Sequence, residues 1–345
     1  RPSPAGLGQT GDLPGVCQLA QAETAEPELA VDGAGPATAA AAGVPAHLVL
    51  GGALLLLDEC FLGHYWFPSR RNGKLKAARA WDAATFRSDG RVELLHALRA
   101  LGVQPGDTVM LHSAWSREHG FRGSVGELID TFAKAVGPTG HLLMVTLPYR
   151  NAALDWLESG RRFDVRKTPS MMGMVSEVFR RREGVQRSVH PTHPIAVLGP
   201  DPQRFIAAHP GCVHPCGPGT PFEEVLKADG RVVFLNVPID TFTFFHYLEH
   251  LVHETLPFPL YSETVYEAPV VDAEGRAGTV RTHAFAREAI RRRRPERLYD
   301  TLFAKGLVAE QRVGATRLLA VKVRDAVDVT RDLQRNGNLF YELGP

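Results

Sequence analysis

The chain has 345 residues, of which 44% are hydrophobic and 22% are charged, so it can bury a sizeable core and is not disordered throughout. Its 39 Lys and Arg residues nearly balance its 38 Asp and Glu residues. This balance argues against a nucleic-acid binder that depends on a strongly basic surface. Four cysteines are too few for a disulfide scaffold, so we expect a soluble protein of the reducing cytoplasm.

The N-terminal part differs in composition from the rest, and we predict an extension over residues 1–89 and a main domain over residues 90–345. Residues 1–45 are rich in Ala, Gly and Pro without a hydrophobic period, which is typical of a linker or tail. Residues 46–89 are apolar and aromatic, and we expect them to pack on the main domain. Their apolar run over residues 48–57 is too short for a membrane span, which needs about 20 residues.

The main domain begins with a regular alternation of elements. Hydrophobic spacing predicts a helix over 93–102, a strand over 108–115, a helix over 126–137 and a strand over 141–149. This strand–helix–strand order predicts a βαβ unit, and hence an α/β fold with a partly parallel sheet. The further predicted elements are helices over 172–184 and 243–254 and strands over 194–199, 231–238 and 316–323.

The helix over 243–254 carries the pattern His246-x-x-Glu249-His250. Two histidines one helical turn apart could hold zinc, with the glutamate as a base, as in inverted zincins. The third ligand would come from Glu263, Glu267 or Glu310, none of which has a distinguishing context. Short motifs of this kind often arise by chance, so a zinc-dependent hydrolase is kept as the alternative hypothesis.

A second group of potential metal ligands lies in the loop HPGCVHPCGPG, residues 209–219. Structural zinc sites generally use two ligand pairs separated by a longer segment, whereas here all four ligands lie within eight residues. We therefore interpret the segment as a Pro- and Gly-rich loop with incidental thiols. Its histidines and cysteines are His209, Cys212, His214 and Cys216.

The segment RSVHPTHPIAVLG, residues 187–199, places His190 and His193 on a Pro-punctuated loop that leads into an apolar strand. Loops positioned by the ends of strands often carry catalytic residues. The ordinary pKa of histidine suits a general base, so His193 is a candidate for that role.

The segment LHSAWSREHGFRGS, residues 111–124, runs from a strand into Ser and Gly residues before a helix. Its backbone N–H groups could bind a phosphate or an oxyanion. The chain has no GxGxxG, GxxxxGK[ST] or GxSxG motif, so it lacks the dinucleotide, P-loop and nucleophile-elbow patterns. The basic run Arg291–Arg294 is interpreted as a solvated helix face.

The order of these segments along the chain is informative as well as their individual sequences. The strings LGVQPGDTVMLHSA, GELIDTFAKAVGPTGHLLMVT, TPSMMGMVSEVFRRREGVQRSVHPTHPIAVLG, GPGTPFEEVLKADGRVVFLNV and DTFTFFHYLEHLV follow one another along the chain. Together they resemble the aminoglycoside 3-N-acetyltransferase family over roughly residues 90–340. The combination of SMMG, RSVHPTHP and the FHYLEH helix is the most specific part.

The resemblance implies a three-layer α/β/α catalytic domain with a central mixed, partly parallel sheet. It implies acetyl-coenzyme A as co-substrate, no metal, and an acceptor amine on an aminoglycoside, a related amino sugar or another small molecule. The family's base falls on His193, and its carboxylate partner would be Glu249 or, as second choice, Glu223. Direct transfer in a ternary complex needs no covalent enzyme intermediate.

We expect the loops at 112–115 and 170–173 to contact the donor and to supply N–H groups for the developing oxyanion. Asp240 and His246 are expected to contact the acceptor. The expected partners are the amine and coenzyme A, without nucleic acid or membrane, and a homodimer remains an option. The donor-contacting residues are His112, Ser113, Ala114, Trp115, Ser170, Met171, Met172 and Gly173.

Overall fold

The computed structural model describes residues 89–344, so the predicted extension lies almost wholly outside the described residues. The strands in this part of the chain are β1 (Thr108–Ser113), β2 (His141–Val145), β3 (Phe163–Asp164), β4 (Gln186–Arg187), β5 (Ile195–Leu198), β6 (Arg231–Leu235), β7 (Tyr261–Val271), β8 (Ala277–Phe285), β9 (Val308–Val313) and β10 (Thr316–Lys322). The helices are α1 (Arg91–Ala100), α2 (Val125–Val136), α3 (Ala153–Glu158), α4 (Met174–Arg180), α5 (Gln203–Ile206), α6 (Pro221–Lys227), α7 (Phe245–Val252), α8 (Arg287–Arg292), α9 (Glu296–Ala304) and α10 (Val323–Arg335).

The main sheet has the strand order β4-β5-β2-β1-β6-β10-β9. The central strand β1 pairs in parallel with both β2 and β6, whereas the outer pairs are antiparallel. The prediction of a mixed, partly parallel sheet is confirmed. The predicted βαβ unit is β1–α2–β2, and its parallel register pairs Thr108 with His141.

Local sequence explains why α2 forms between these strands. Its first turn is a capping box, in which the Ser124 hydroxyl accepts the Glu127 N–H and the Glu127 carboxylate accepts the Ser124 N–H. Gly137 ends the helix with a positive φ of 69°, a conformation that favours glycine. The following strand HLLMV is buried at all five positions, as expected for a strand covered on both faces.

Both faces of the main sheet carry a hydrophobic core. Alternate side chains of β1 enter different cores: Val109 and Leu111 pack with α1, α2 and α4, whereas Met110 packs with α6, α7, α9 and α10. A layer of helices therefore covers each face, which agrees with the three-layer arrangement.

A second sheet has the strand order β3-β7-β8, and its strands alternate along the chain with those of the main sheet. Its long antiparallel pair, β7 and β8, was absent from the elements predicted from the sequence. Much of β7 is exposed or half-buried, with few fully buried positions, so it lacks a strong apolar signal.

None of the helices within residues 89–344 combines the length and apolar character that a membrane span requires.

Candidate active site

The carboxyl ends of β1, β2 and β6 lie at one edge of the main sheet because these strands are parallel neighbours. The antiparallel strand β5 begins at the same edge, since Ile195 pairs with Val145 at the end of β2. The loop RSVHPTHP therefore reaches this edge just before β5. Ligands commonly bind at such an edge in open α/β sheets.

The loop before β5 is a tight turn closed by His190. The His190 Nδ1 atom accepts the backbone N–H groups of Thr192 and His193, at 3.3 and 3.2 Å. Pro191 and Pro194 restrict φ within the same turn. The turn thereby fixes the position and direction of the bond that joins the His193 side chain to the backbone.

Arg187, at the start of the motif, ties this edge to the segment after β3. Its buried guanidinium donates to Thr146 Oγ1 at 2.9 Å and to Thr168 O at 2.6 Å, and lies over the Phe163 ring. Burial lowers the pKa of Arg187 to about 9, so it remains a cation at pH 7. Arg187 thus supports the loop and is not free to contact a substrate.

His193 is 3% exposed and lies beside a second histidine from α7. Its ring stands edge-on to His246, with ring centres 5.7 Å apart, and both rings contact Phe285. His193 Nδ1 shares a hydrogen bond of 3.0 Å with the Thr192 hydroxyl. Burial, followed by the nearby His246, lowers the pKa of His193 well below its usual value, so the ring is neutral at pH 7.

Glu249, the predicted carboxylate partner of His193, forms its hydrogen bond with the neighbouring His246 instead. Glu249 Oε2 accepts a hydrogen bond of 2.7 Å from His246 Nδ1, one turn away on α7. The expectation that Glu249 orients His193 directly is therefore wrong. The i, i+3 spacing on α7 brings Glu249 and His246 together on one face of the helix, whereas the Thr192 hydroxyl occupies His193 Nδ1.

Glu249 is fully buried and also binds two residues that the sequence analysis did not assign to the site. Its Oε1 atom accepts from Arg293 Nε at 2.5 Å and from the Tyr341 hydroxyl. We call Glu249, His246, Arg293 and Tyr341 the Glu249 network. The predicted solvated face at Arg291–Arg294 is wrong for Arg293, whose side chain is 10% exposed.

The network keeps Glu249 ionised. Burial would raise its pKa, but the Arg293 charge and the hydrogen bonds from His246 and Tyr341 outweigh burial, and the pKa of Glu249 is lowered. Burial lowers the pKa of His246 while Glu249 partly opposes that shift. His246 is therefore a neutral imidazole with Nδ1 protonated, and its side chain is 24% exposed.

The second-choice carboxylate, Glu223, lies on α6 and is committed elsewhere. It accepts from the Gly219 N–H at 2.9 Å and from Lys227 Nζ at 2.8 Å. Glu223 therefore does not orient either active-site imidazole. Asp240 is the exposed residue of a short turn, Ile239–Thr241, that follows β6 at the carboxyl edge.

One of the two predicted donor loops has already used most of its backbone donors. Ser170 N–H donates to Glu177 at 2.6 Å, Met171 N–H to Leu147 O at 2.8 Å, and Met172 N–H to Ser170 Oγ at 3.3 Å. These three groups do not act as oxyanion donors in this conformation. The fourth residue of the loop, Gly173, is exposed and caps α4.

The other donor loop begins at the last two residues of β1, His112 and Ser113. Ala114 N–H is used in a hydrogen bond of 2.9 Å to Leu235 O. By contrast, the buried ring nitrogens His112 Nε2 and Trp115 Nε1 have no hydrogen-bond partner within residues 89–344. Buried polar atoms are normally satisfied, so these two nitrogens are available to a ligand.

The two potential metal motifs meet in space but do not form a metal site. His250 from α7 and His214 from the 209–219 loop lie 5.1 Å apart between ring centres, beside His253 and His283. We call these four residues the outer histidine cluster. The remaining ligands of the loop point elsewhere: His209 hydrogen-bonds to Ser188, the Cys212 thiol contacts backbone carbonyls, and Cys216 is buried in the core.

Within residues 89–344, no group of three or more His, Cys, Asp and Glu side chains is placed to hold a metal ion. His246 and His250 have different partners, since His246 Nδ1 binds Glu249 and His250 Nδ1 lies 2.9 Å from the Tyr261 hydroxyl. The geometry therefore gives the zinc hydrolase alternative no support. Its candidate third ligands are all exposed: Glu263, Glu267 and Glu310.

Comparison with known proteins bears on this site. A family model described as aminoglycoside 3-N-acetyltransferase matches residues 110–335, about two thirds of the chain. Aminoglycoside N(3)-acetyltransferase IX of Micromonospora chalcea is 32% identical over 175 residues, which are 47% of this chain and 62% of that protein. The match thus spans about 60% of the relative's length.

The similarity to solved structures covers a larger share of this chain than the similarity to that relative. The aminoglycoside acetyltransferase AAC(3)-Xa is 30% identical and matches 71% of this chain and 92% of that one, with a TM-score of 0.59. AAC-IIIb, solved as a binary complex with CoASH, is 23% identical and matches 74% of this chain and 98% of that one, with a TM-score of 0.59. The second likeness concerns the fold alone.

Proposed function

The chain belongs to the aminoglycoside 3-N-acetyltransferase family, and we propose that it transfers an acetyl group from acetyl-coenzyme A to a primary amine of an aminoglycoside or a related amino sugar. The observation that carries this proposal is the neutral His193–His246 pair, backed by the buried Glu249 carboxylate, at the carboxyl edge of the sheet. Amine acylation requires a neutral base at such a place.

The reaction forms an N–C bond and breaks the C–S bond of the thioester. As the amine nitrogen attacks the carbonyl carbon, it loses a proton to an imidazole. The leaving coenzyme A thiolate then takes up a proton, so no covalent enzyme intermediate is required.

We propose that His193 and His246 act together as the general base. The family resemblance favours His193, whose buried neutral ring can accept a proton. Local geometry favours His246, since a carboxylate on Nδ1 leaves Nε2 as the acceptor and stabilises the imidazolium that forms. We therefore propose that Glu249 acts through His246, and that the edge-to-face contact couples His246 to His193.

The donor is proposed to lie along the loop that follows β1. His112 Nε2 and Trp115 Nε1 fit this role, because neither has a partner in the described part of the chain and a bound ligand can provide the hydrogen bond that each lacks there. The Trp115 indole N–H is a donor only, which suits an amide or thioester carbonyl oxygen.

The overall proposal is tested by incubating the purified chain with acetyl-coenzyme A and an aminoglycoside such as sisomicin. We expect release of the free thiol of coenzyme A and an acceptor heavier by one acetyl group in mass spectrometry. Absence of both products across a panel of aminoglycosides and simple amino sugars would overturn the proposal.

The roles of the two histidines are separated by His193→Ala and His246→Ala. Each is expected to lower kcat by roughly 10²–10⁴, the range for loss of a general base, with little change in coenzyme A binding measured by calorimetry. The matched control is His283→Ala in the outer histidine cluster, which should retain wild-type turnover. A variant that keeps full kcat would remove its histidine from the proposed base.

A further inference from the structure

We propose that Tyr341 is a positioning residue, which acts with Arg293 to hold the Glu249 carboxylate and thereby fixes the tautomer of His246. The inference rests on the proposed function, since it assigns a role at the same site. Tyr341 lies beyond residues 110–335, which the family model matches, so family membership alone does not point to it.

The C-terminal segment reaches the site because its backbone is paired with the linker between α8 and α9. Arg293 and Tyr341 form an antiparallel bridge. On either side of it, Arg294 N–H donates to Phe340 O and Glu342 N–H donates to Arg292 O, each at 2.8 Å. One short pairing thus carries both residues that bind Glu249 Oε1.

Arginine side chains strengthen this pairing. Arg297 Nη1 donates to Leu339 O at 2.7 Å and to Tyr341 O at 2.8 Å. Arg292 Nη1 donates to Glu342 O at 3.2 Å. Arg292 of the basic run and the nearby Arg297 therefore hold the segment that bears Tyr341.

The Tyr341 ring is confined as well. It is 0% exposed and packs against Phe258 and Phe340, with ring centres 5.5 and 5.6 Å away. The enclosed ring directs its hydroxyl to Glu249. A phenylalanine would keep this packing and lose only the hydroxyl, so the two contributions can be separated.

The hydroxyl affects His246 through the carboxylate. Glu249 Oε1 accepts hydrogen bonds from Arg293 and Tyr341, so Oε2 is left to accept the hydrogen bond from the Nδ1–H group of His246. This arrangement places the proton on Nδ1 and the lone pair on Nε2, the tautomer that a base requires. Without the hydroxyl, the carboxylate is less satisfied, becomes more basic and stabilises the imidazolium form of His246.

The test is Tyr341→Phe, measured first in the free protein by NMR titration of the His246 ring nitrogens. The charged and titratable groups that face His246 are Glu249 on its own helix, Arg293 after α8 and His193 before β5. The variant leaves all three in place. We therefore expect the His246 pKa to rise by about 0.5–1 pH units, less than the full effect of a lost hydrogen bond to a charged group because the change reaches His246 through Glu249.

With acetyl-coenzyme A and sisomicin, the acidic limb of the kcat/KM profile should move upward by a similar amount. We also expect kcat to fall by roughly two- to fivefold at pH 6, with KM for acetyl-coenzyme A unchanged. The control is Tyr299→Phe, a buried tyrosine that makes no hydrogen bond to Glu249 and should match the wild type.

An unchanged His246 titration and an unchanged pH profile in a folded Tyr341→Phe protein would overturn the inference. If that variant fails to fold, Arg293→Lys provides the second test, because lysine keeps the charge and should shift the His246 titration in the same direction. The NMR result does not depend on turnover. A wild-type protein without transferase activity would therefore disprove the proposed function and leave the positioning role to be decided by the titration.

Discussion

Helix α7 contributes histidines to two neighbouring groups that differ in how each imidazole is satisfied. In the Glu249 network, His246 binds a buried carboxylate that is itself held by a cation and a tyrosine hydroxyl. In the outer histidine cluster, His250 and His253 stack on each other with ring centres 4.6 Å apart. Their Nδ1 atoms contact neutral groups, the Tyr261 hydroxyl and the His250 carbonyl.

The difference shows that spacing along a helix does not determine the chemistry of its histidines. His246 and His250 are four residues apart and belong to one short motif. The first has a carboxylate to stabilise its protonated form, whereas burial and neighbouring histidines disfavour protonation of the second. A base is therefore expected in the first group and not in the second.

The largest expected effect comes from removing the charge at the centre of the Glu249 network. Glu249→Gln leaves the Arg293 guanidinium buried without its carboxylate, and the free energy of unfolding should fall by about 3 kcal/mol. Acetyl transfer should fall by more than 10²-fold, because His246 loses its anionic partner. Urea unfolding and initial rates measure the two effects.

The matched control for this substitution is Glu223→Gln, which breaks a half-exposed pair with Lys227. Pairs of this kind contribute about 0–1 kcal/mol. Equal losses of stability in the two variants would show that the buried Glu249 carboxylate contributes no more to the free energy of unfolding than a half-exposed ion pair.

A smaller effect is expected from acid on the outer histidine cluster. Burial, together with His253 and His214, lowers the pKa of His250 to about 4. Because the unfolded chain has the higher pKa, protons bind it preferentially, and stability falls as the pH decreases from about 6.5 toward 4. The loss should be about 1–2 kcal/mol, since the ring retains some hydration.

The measurement is urea unfolding of the wild type and His250→Gln at pH 6.5 and pH 4.5. The variant should lose less stability than the wild type over this interval. If the two proteins show the same loss, His250 is not responsible for the acid sensitivity, and the contrast with the Glu249 network is weakened.

The smallest effect is expected at Gly217, which lies against the cluster. A Cβ atom there would come within 2.9 Å of His250 Cε1 and 3.0 Å of the His214 Cβ. Gly217→Ala should therefore cost about 1 kcal/mol in thermal or urea unfolding, because a ring edge must shift.

Gly211→Ala provides the comparison for that substitution, since no heavy atom of the described residues beyond its two chain neighbours lies within 4 Å of its added Cβ. A cost at Gly217 no greater than at Gly211 would indicate that the outer histidine cluster is loosely packed.

Local sequence patterns predicted the elements that frame the site. The helix over 126–137 and the strands over 108–115 and 141–149 correspond to α2, β1 and β2, because each has a clear period and a turn at its end. The β7–β8 hairpin and the helix α10 escaped prediction. The hairpin buries few side chains and has a weak pattern, whereas the apolar residues of α10 recur with a helical period that could have identified it.

The sequence by itself determined the family, the order of the elements that frame the site and the loop that bears His193, since these depend on local periodicity and on motifs read in order. Only the tertiary structure decided which carboxylate meets which imidazole. The choice depends on four segments, which supply His193, the pair on α7, Arg293 and Tyr341. Tyr341 and Glu249 are 92 residues apart, and a hydrogen bond between them exists only because packing brings the two segments together.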